Sequence, residues 1–349
     1  MLVKYFGYAF DSVNKIFSLR TSFISDGLFR MTQPKFLNDK SSESRVKAYF
    51  NEFSPADYAW AKRAHNKMQL NNSYVPSKEF LEDMFLKPTG SRYGDSYPHL
   101  LEQDGFSSME EFDKKQLDQS AEKINAFLLE AISCQLGVLS LSKSDTNELM
   151  WTHYATEGKG LAVTFKNSHP FFKKFPPKEV TYSADKRTSL TYYKGMMRMN
   201  GYLLKNFRKY DLSKPSGVTD LLSENNIDSD DITERLLYSK SEKWAPEDET
   251  RIVCSLKLCE DNKGALLEQQ FGVELPEEQV ALFRHYEISL KQIPFDAFES
   301  IVFGYCMSES DKSIIIELVR NNKDLSHLKL RQARLNIFEQ VEIVDCVVK

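Results

Sequence analysis

The sequence predicts a mixed α+β fold in which a mostly antiparallel sheet is flanked by helices. Short apolar segments typical of buried strands are spread along the chain, and a long segment after Ser108 repeats apolar residues at helical spacing. Strands and helices do not alternate as regular βαβ units, and the chain lacks a GxGxxG or Walker loop. These observations disfavour a doubly wound nucleotide-binding fold.

The N-terminal third predicts strands, turns and an insertion. Residues 3–6 are predicted as a short strand, and residues 23–30 as a turn at Gly27 that leads into a second strand. Residues 34–39 are predicted as a loop with Asx-turn chemistry. Residues 66–106 are polar and rich in turn-forming residues, and we interpret them as an insertion.

The middle of the chain begins with a well-marked helix. Ser108 and Glu111 form a capping box, and the apolar spacing that follows predicts a helix that ends near Gly137. Residues 138–142 then predict a buried strand. A short helix follows at residues 148–154, capped by Asp145 or Thr146 and ended by Gly158 and Gly160. The later strands are apolar or alternating and are predicted at 161–165, 249–256, 301–304, 328–333 and 341–347.

The chain length predicts one domain, 1–349, because single hydrophobic cores stop growing near about 250–300 residues. Besides the insertion described above, we expect a second one at 212–232. The interval between the strands at 161–165 and 249–256 is predicted as mostly helical, followed by a polar linker at 214–231. A further capped helix is predicted at 310–320.

The charge balance argues against nucleic-acid binding through a global basic excess. The chain has 46 basic and 50 acidic residues, and its net charge is -4. A local basic and aromatic strip is either a nucleic-acid contact or the solvated face of a helix. Its members are Tyr192, Tyr193, Lys194, Arg198, Lys205, Phe207, Arg208 and Lys209.

The cysteine and histidine patterns predict a cytoplasmic protein without a metal site. The five cysteines are scattered without a CxxC pair, and the six histidines form no HxxxH or HExxH pair. No apolar run approaches the roughly 18–20 residues that span a bilayer, and the N-terminus lacks the features of a signal peptide. We therefore expect no membrane partner.

The first candidate group of functional residues lies around Tyr154. On a helix, Trp151 and Tyr154 share a face, which Glu148 extends. Such an aromatic face beside a glycine-rich turn suits a flat ligand group, for instance a nicotinamide ring. The alternative is that both aromatic side chains belong to the core. His153 points away from this face and is predicted as a surface or supporting residue.

The second candidate group lies around Glu249. In an extended chain, Glu247, Glu249 and Arg251 project to one side, and Ile252 and Cys254 project to the other. Carboxylates at this spacing can bind a ribose hydroxyl, orient an acceptor or stabilise an oxocarbenium centre. An arginine can bind pyrophosphate in a bidentate manner. The alternative is an ordinary ion pair on an edge strand.

Together these segments resemble a bacterial domain-of-unknown-function family, number 2971. The motifs are W-x-H-Y, here Trp151-Thr-His153-Tyr154, and W-x-x-E-x-E-x-R, here from Trp244 to Arg251. The resemblance extends to an early strand at Val3-Lys4-Tyr5, to the segment 36–39 and to residues 301–304. The family name implies no activity.

The chain is also similar, more weakly, to ADP-ribosyltransferases, which implies a core of that type with helical insertions. In those folds a first-strand polar residue, a tyrosine that stacks on nicotinamide and a late glutamate on the ribose follow in this order. The corresponding positions here are Lys4 or Tyr5, then Tyr154, then Glu249. The pair Glu247-Asp-Glu249 is similar to their ExE pattern. Lys4-Tyr5 departs from the histidine or arginine of those folds.

This similarity implies NAD as a substrate and a transferase or glycohydrolase reaction. The implied catalytic residues are Glu249 on the ribose, Glu247 for the acceptor and Tyr154 on the nicotinamide. The implied partners are NAD or another nucleotide and a macromolecular acceptor, protein or nucleic acid, in a toxin or phage-defence setting. The alternative is a non-enzymatic module that binds a nucleotide or nucleic acid. The remaining candidate cofactor contacts are Lys4, Tyr5, Asn38, Trp151 and Arg251.

Overall fold

The structure is a computed structural model with a mixed α+β architecture. It describes residues 1–11, 16–37, 43–68, 74–90, 97, 99, 105–267 and 284–346. The strands, numbered in chain order, are β1 (Leu2–Phe6), β2 (Tyr8–Asp11), β3 (Ile16–Leu19), β4 (Leu28–Met31), β5 (Lys47–Phe50), β6 (Leu136–Ser142), β7 (Leu161–Phe165), β8 (Lys178–Glu179), β9 (Ser189–Tyr193), β10 (Met196–Met199), β11 (Tyr202–Leu203), β12 (Glu249–Ser255), β13 (Asp261–Leu267), β14 (His285–Gln292), β15 (Phe298–Phe303), β16 (Lys329–Leu335) and β17 (Val341–Asp345).

The helices lie between and around these strands, and short 3-10 turns join several of them. Numbered in chain order, the α-helices are α1 (Phe23–Asp26), α2 (Pro55–Met68), α3 (Lys78–Leu81), α4 (Met109–Ser133), α5 (Glu148–His153), α6 (Pro170–Lys174), α7 (Pro215–Glu224), α8 (Ser229–Tyr238) and α9 (Glu309–Asn321).

The main sheet has eight strands in the order β17-β16-β15-β7-β1-β6-β12-β8. Its neighbouring strands pair in antiparallel fashion except β15 and β16, which are parallel. Smaller sheets have the orders β11-β10-β9-β5 and β13-β14-β4, and β2 pairs with β3. The prediction of a mixed fold with mostly antiparallel pairing is therefore confirmed.

The two faces of the main sheet bury different groups of side chains. Because side chains alternate along a strand, β7 sends Val163 and Phe165 to one face and Ala162 to the other. The first face packs phenylalanine rings, among them Phe29 and Phe298, against the sheet. The opposite face packs the α5 region, in which Trp151 is fully buried.

The central strand β1 pairs unequally with its two neighbours. It pairs with β7 from Leu2 to Phe6, but the register with β6 contains only Val3 opposite Ser142. The two strands therefore diverge after this pair, and a cleft forms between them. On its other side, β6 pairs with β12 along seven residue pairs.

The long helix α4 confirms the capping box, because the Ser108 side chain accepts a hydrogen bond from the backbone of Glu111. The helix ends at Ser133, and Gly137 lies inside β6 rather than at the helix end. Glycine is needed there for close packing, since a Cβ at this position would lie 2.5 Å from the Cβ of Met31.

Two predictions for the region between β7 and β12 were wrong. Residues 189–203 contain strands β9 to β11 instead of helix, and the predicted linker at 214–231 contains α7 and the start of α8. Both helices are amphipathic and bury their apolar faces in a core shared with α4. Their many serine and aspartate residues concealed this periodicity. Whether 66–106 and 212–232 are insertions stays a prediction.

Among the described residues, no helix combines the length and the apolar character that crossing a membrane requires.

Candidate functional site

The cleft between β1 and β6 has a volume of about 390 Å³ and is unusually rich in charge. Its described lining includes five cationic side chains and two carboxylates, although the whole chain has a net charge of -4. These charged residues are Lys4, Arg20, Arg30, Lys240, Glu247, Glu249 and Arg251.

The turn before β12 positions Glu247, and the strand itself positions Glu249 and Arg251. Residues Glu242–Glu247 form a 3-10 helix, and Asp248 adopts a left-handed conformation with φ of 47° before the strand begins. The expected extended run from Glu247 to Arg251 is therefore wrong at its start. Even so, Glu247, Glu249 and Arg251 all line the cleft, while Ile252 lies in the opposite core.

A buried network of ion pairs joins the two carboxylates. Lys240 Nζ lies 2.6 Å from Glu247 Oε2 and 3.0 Å from Glu249 Oε2. Arg251 donates from Nε to Glu249 Oε1 at 2.7 Å and from Nη2 to Oε2 at 3.2 Å. Its Nη1 donates to the Leu237 carbonyl at 2.5 Å. The prediction that Arg251 is buried and bonded to a carboxylate is confirmed, since it is 1% exposed.

This network fixes the charge of Glu249. Burial by itself raises the pKa of the Glu249 carboxyl, but the charges of Arg251 and Lys240 outweigh burial and lower the pKa from 4.5 to about 2. Ser140, which also lines the cleft, lowers the pKa of the same carboxyl further. Glu249 is therefore an anion throughout the physiological pH range.

The depressed pKa of Glu249 predicts an acid-sensitive contribution to stability. The contribution is fully present above the unfolded pKa of about 4.5 and is lost as pH falls towards the folded pKa of about 2. We expect the unfolding free energies of wild type and Glu249→Gln to converge by about 2 kcal/mol between pH 6 and pH 3. Urea denaturation at both pH values measures this, and a constant difference would contradict the assignment.

Tyr154 reaches the network from the end of α5. It follows α5, whose N-cap is Asn147 and not the predicted Asp145 or Thr146. The Asn147 side chain accepts from the backbone of Met150. Tyr154 Oη donates to Glu247 Oε1 at 2.7 Å. The structure thus brings Tyr154, Glu247 and Glu249 to one cleft, as the sequence predicted, and their chemical roles stay predictions.

The glycines after Tyr154 serve close packing. Gly158 has a φ of 73°, and a Cβ there would lie 2.4 Å from the Tyr305 ring. A Cβ on Gly160 would lie 2.0 Å from the Phe6 carbonyl oxygen. Neither glycine is part of the described cleft lining. Their need for small side chains therefore follows from the packing of this turn on β1 and on Tyr305.

Trp151 and Tyr5 belong to a buried cluster next to the cleft. Trp151 is 0% exposed, lies outside the described lining, and donates from Nε1 to the Asp145 carbonyl at 2.7 Å. The Tyr5 ring meets the indole edge to face, with centroids 5.0 Å apart. Tyr5 borders the cleft, but its hydroxyl donates to the Ser144 carbonyl at 2.8 Å. These contacts match the core alternative for Trp151.

Lys4 bridges the diverging strands. Its Nζ donates to the Ser140 carbonyl of β6 at 2.9 Å, in the region where β1 and β6 no longer pair. Burial lowers the pKa of Lys4 to about 8; Glu249 opposes this shift and Arg20 adds to it. The other polar candidate of the N-terminal region, Asn38, lies outside the described residues.

Several cleft residues were not predicted as functional from the sequence. Lys240 joins both carboxylates, and Arg20, Arg30 and Ser140 line the same space. His153, expected away from the ligand face, is exposed and also borders the cleft. None of these residues belongs to a short motif with a recognisable spacing, so their convergence required the folded chain.

Trp244 of the second motif is held by a buried carboxylate. Glu43 is 3% exposed and accepts from Trp244 Nε1 at 3.1 Å and from the Ser241 backbone and hydroxyl at 2.6 and 2.8 Å. Arg187 pairs with the same carboxylate at 3.3 Å. Lys240 Nζ lies 4.8 Å above the Trp244 ring, so the indole supports the cation at the centre of the network.

Two members of the basic and aromatic strip, Tyr192 and Arg198, are buried on β9 and β10. Arg198 is buried and donates to the carbonyls of Gly201 and Phe85. Arg208 donates to the hydroxyl of Tyr192, which is itself fully buried. The interpretation of this strip as a solvated helix face was wrong, because its core positions lie on β9 and β10.

The described residues contain no group of three or more histidine, cysteine, aspartate or glutamate side chains that could hold a metal ion. The cleft itself is lined by a buried carboxylate pair, a tyrosine and several cations.

Comparison with known families identifies one match. Residues 150–252 match the family described as "Protein of unknown function (DUF2971)". The match spans both motifs, from the Trp151 segment to Arg251, and confirms the resemblance over this segment. No curated protein and no solved structure matches the chain. For the early strand and residues 301–304, the resemblance stays a prediction.

Proposed function

We propose that the protein uses NAD as a substrate in this cleft, as an ADP-ribosyltransferase-like enzyme or an NAD glycohydrolase. The observation that supports this best is the meeting of Tyr154 with Glu247 and Glu249 on one cleft. An aromatic ring and carboxylates that line the same cleft suit a flat base joined to a ribose. The ADP-ribosyltransferase-like core belongs to the same proposal.

In the proposed reaction, Glu249 faces the nicotinamide ribose. Its fixed negative charge stabilises the oxocarbenium ion that develops as the glycosidic bond breaks. In the structure, Glu249 accepts two hydrogen bonds from Arg251 and one from Lys240. A carboxylate has about four acceptor positions, so one position remains for a ribose hydroxyl.

Glu247 is better placed to accept a new hydrogen bond. Its hydrogen-bond donors are the Tyr154 hydroxyl and Lys240 Nζ, one on each oxygen. Further acceptor positions therefore remain on both oxygens. This arrangement suits the orientation of an acceptor nucleophile, which is the role we propose for Glu247. The acceptor is a macromolecule, protein or nucleic acid, and the proposed setting is a toxin or phage-defence system.

Non-enzymatic nucleotide binding is the second candidate. It is favoured by the double ion pairing of Glu249, because Arg251 and Lys240 offset the negative charge that bond cleavage requires. Incubation of the purified protein with NAD and detection of free nicotinamide distinguishes the two. Release supports the enzyme. Calorimetric binding of NAD without release, with and without candidate acceptors, supports the binding module.

Tyr154 variants test the role of the aromatic ring. We expect Tyr154→Ala to lower kcat/KM for nicotinamide release about three- to tenfold, because a stacked aromatic pair contributes about 0.5–1.5 kcal/mol. Tyr154→Phe keeps the ring and removes the hydroxyl that donates to Glu247, so it should retain most of the activity. Equal losses in both variants would assign the effect to the hydroxyl instead.

A further inference from the structure

The cleft has a second charged end, because β4 meets β6 at the Thr32–Val138 bridge, whereas Glu249 pairs with Ser142 at the other end of β6. Arg20 follows β3, and Arg30 lies on β4 between the buried residues Phe29 and Met31. Both arginines are exposed and line the cleft. They come from separate segments of the chain, so only the fold brings them together.

These arginines form few and weak polar contacts with the described part of the chain. Arg30 donates a long hydrogen bond of 3.5 Å to the Glu287 carbonyl. Arg20 forms no ion pair with a side chain in the described part of the chain. Partial desolvation lowers the pKa of the exposed Arg30 side chain, Arg20 lowers it further, and Glu287 opposes both effects. Two guanidinium groups therefore repel each other at the wall of one cleft, and Glu287 offsets this repulsion only in part.

Lys4 connects the arginines with the carboxylates. The charges of both Arg20 and Glu249 act on its ammonium group. One of its three N–H groups donates to the Ser140 carbonyl, so two can turn towards a ligand. The charge of the lining side chains therefore changes along the cleft, from the carboxylates at one end, through Lys4, to the arginines at the other.

We infer that Arg20, Arg30 and Lys4 form a subsite for the diphosphate of a nucleotide, which orients its ribose towards Glu249. Arginine side chains bind phosphate oxygens in a bidentate manner, and a lysine adds a point charge. A dianionic group would offset the repulsion among the three cations. The inference rests on the proposed function for the choice of ligand, but the anion subsite can be tested without any reaction.

The test measures the binding of ADP and of inorganic pyrophosphate to the full-length protein by titration calorimetry. We expect wild type to bind both, and Arg20→Gln/Arg30→Gln to bind each at least about tenfold more weakly, as expected for the loss of charge-assisted hydrogen bonds. The control is Lys62→Gln/Arg63→Gln, which removes two charges from exposed positions of α2 outside the cleft lining. This control should bind like wild type.

The outcomes separate the subsite from the proposed reaction. Weakened binding in the arginine variant, with unchanged binding in the control, supports the subsite even if NAD is never cleaved. Tighter binding of ADP than of pyrophosphate assigns the subsite to a nucleotide, and equal binding overturns the nucleotide assignment in favour of a free anion. No binding of either ligand to wild type, or equal binding by wild type and the arginine variant, overturns the inference.

Discussion

Replacement of Glu249 by glutamine is expected to slow nicotinamide release by about 10²–10³-fold, if the reaction is NAD cleavage. Glutamine keeps the size of the side chain but removes the charge that stabilises the oxocarbenium-like transition state. The loss of one such electrostatic contact costs about 3–4 kcal/mol of activation free energy. The rate of nicotinamide release by purified wild type and variant measures the effect.

The control for this variant must account for the structural role of Glu249. Because the side chain pairs with Arg251 and Lys240, Glu249→Gln also lowers stability, and rates are compared at a temperature at which both proteins are folded. Glu179→Gln is the matched control, since Glu179 lies on the neighbouring strand β8 and is exposed. Unchanged release in Glu249→Gln would remove Glu249 from the catalytic assignment.

The proposed role of Glu247 in the reaction differs from that of Glu249. Glu247→Gln should impair transfer to an acceptor more than hydrolysis, because its proposed role is to orient the incoming nucleophile. The ratio of transferred ADP-ribose to released nicotinamide measures this difference. Equal losses in both reactions would assign Glu247 to bond cleavage, or to the support of Tyr154 and Lys240.

Replacement of Arg251 by leucine is expected to lower the free energy of unfolding by about 3–5 kcal/mol. The change leaves the carboxylate of Glu249 buried with Lys240 as its remaining cationic partner, and breaking a buried ion pair costs more than removing it whole. Urea denaturation measures the effect. Lys263→Leu is the control, because its ion pair with Asp261 is exposed and should contribute less than about 1 kcal/mol.

A double variant tests the physical reason. If the loss comes from an unpaired buried carboxylate, Glu249→Leu/Arg251→Leu should be less destabilised than Arg251→Leu alone. A double variant that is as unstable as the sum of both single variants would show that the two side chains contribute independently. The coupling energy from these variants measures how strongly Glu249 and Arg251 stabilise each other in the folded protein.

The sequence by itself determined the local elements and part of the site. Periodicity and a capping box located α4, and short apolar segments located the main-sheet strands β1, β6, β7 and β12. Alternation along β12 correctly placed Arg251 opposite the core residue Ile252. The two motifs were therefore sufficient to predict that Tyr154 and Glu249 share a cleft. These are properties of neighbouring residues, which a sequence displays directly.

Only the tertiary structure decided how these elements enclose a charged space. The divergence of β1 from β6, which opens the cleft, depends on the pairing of strands more than a hundred positions apart, from Val3 to Ser142. Lys240 becomes the shared partner of two glutamates, and Arg20 and Arg30 meet at the cleft wall, through contacts that no local pattern contains. Electrostatic interactions act through space, and the separation between charges is therefore set by the fold.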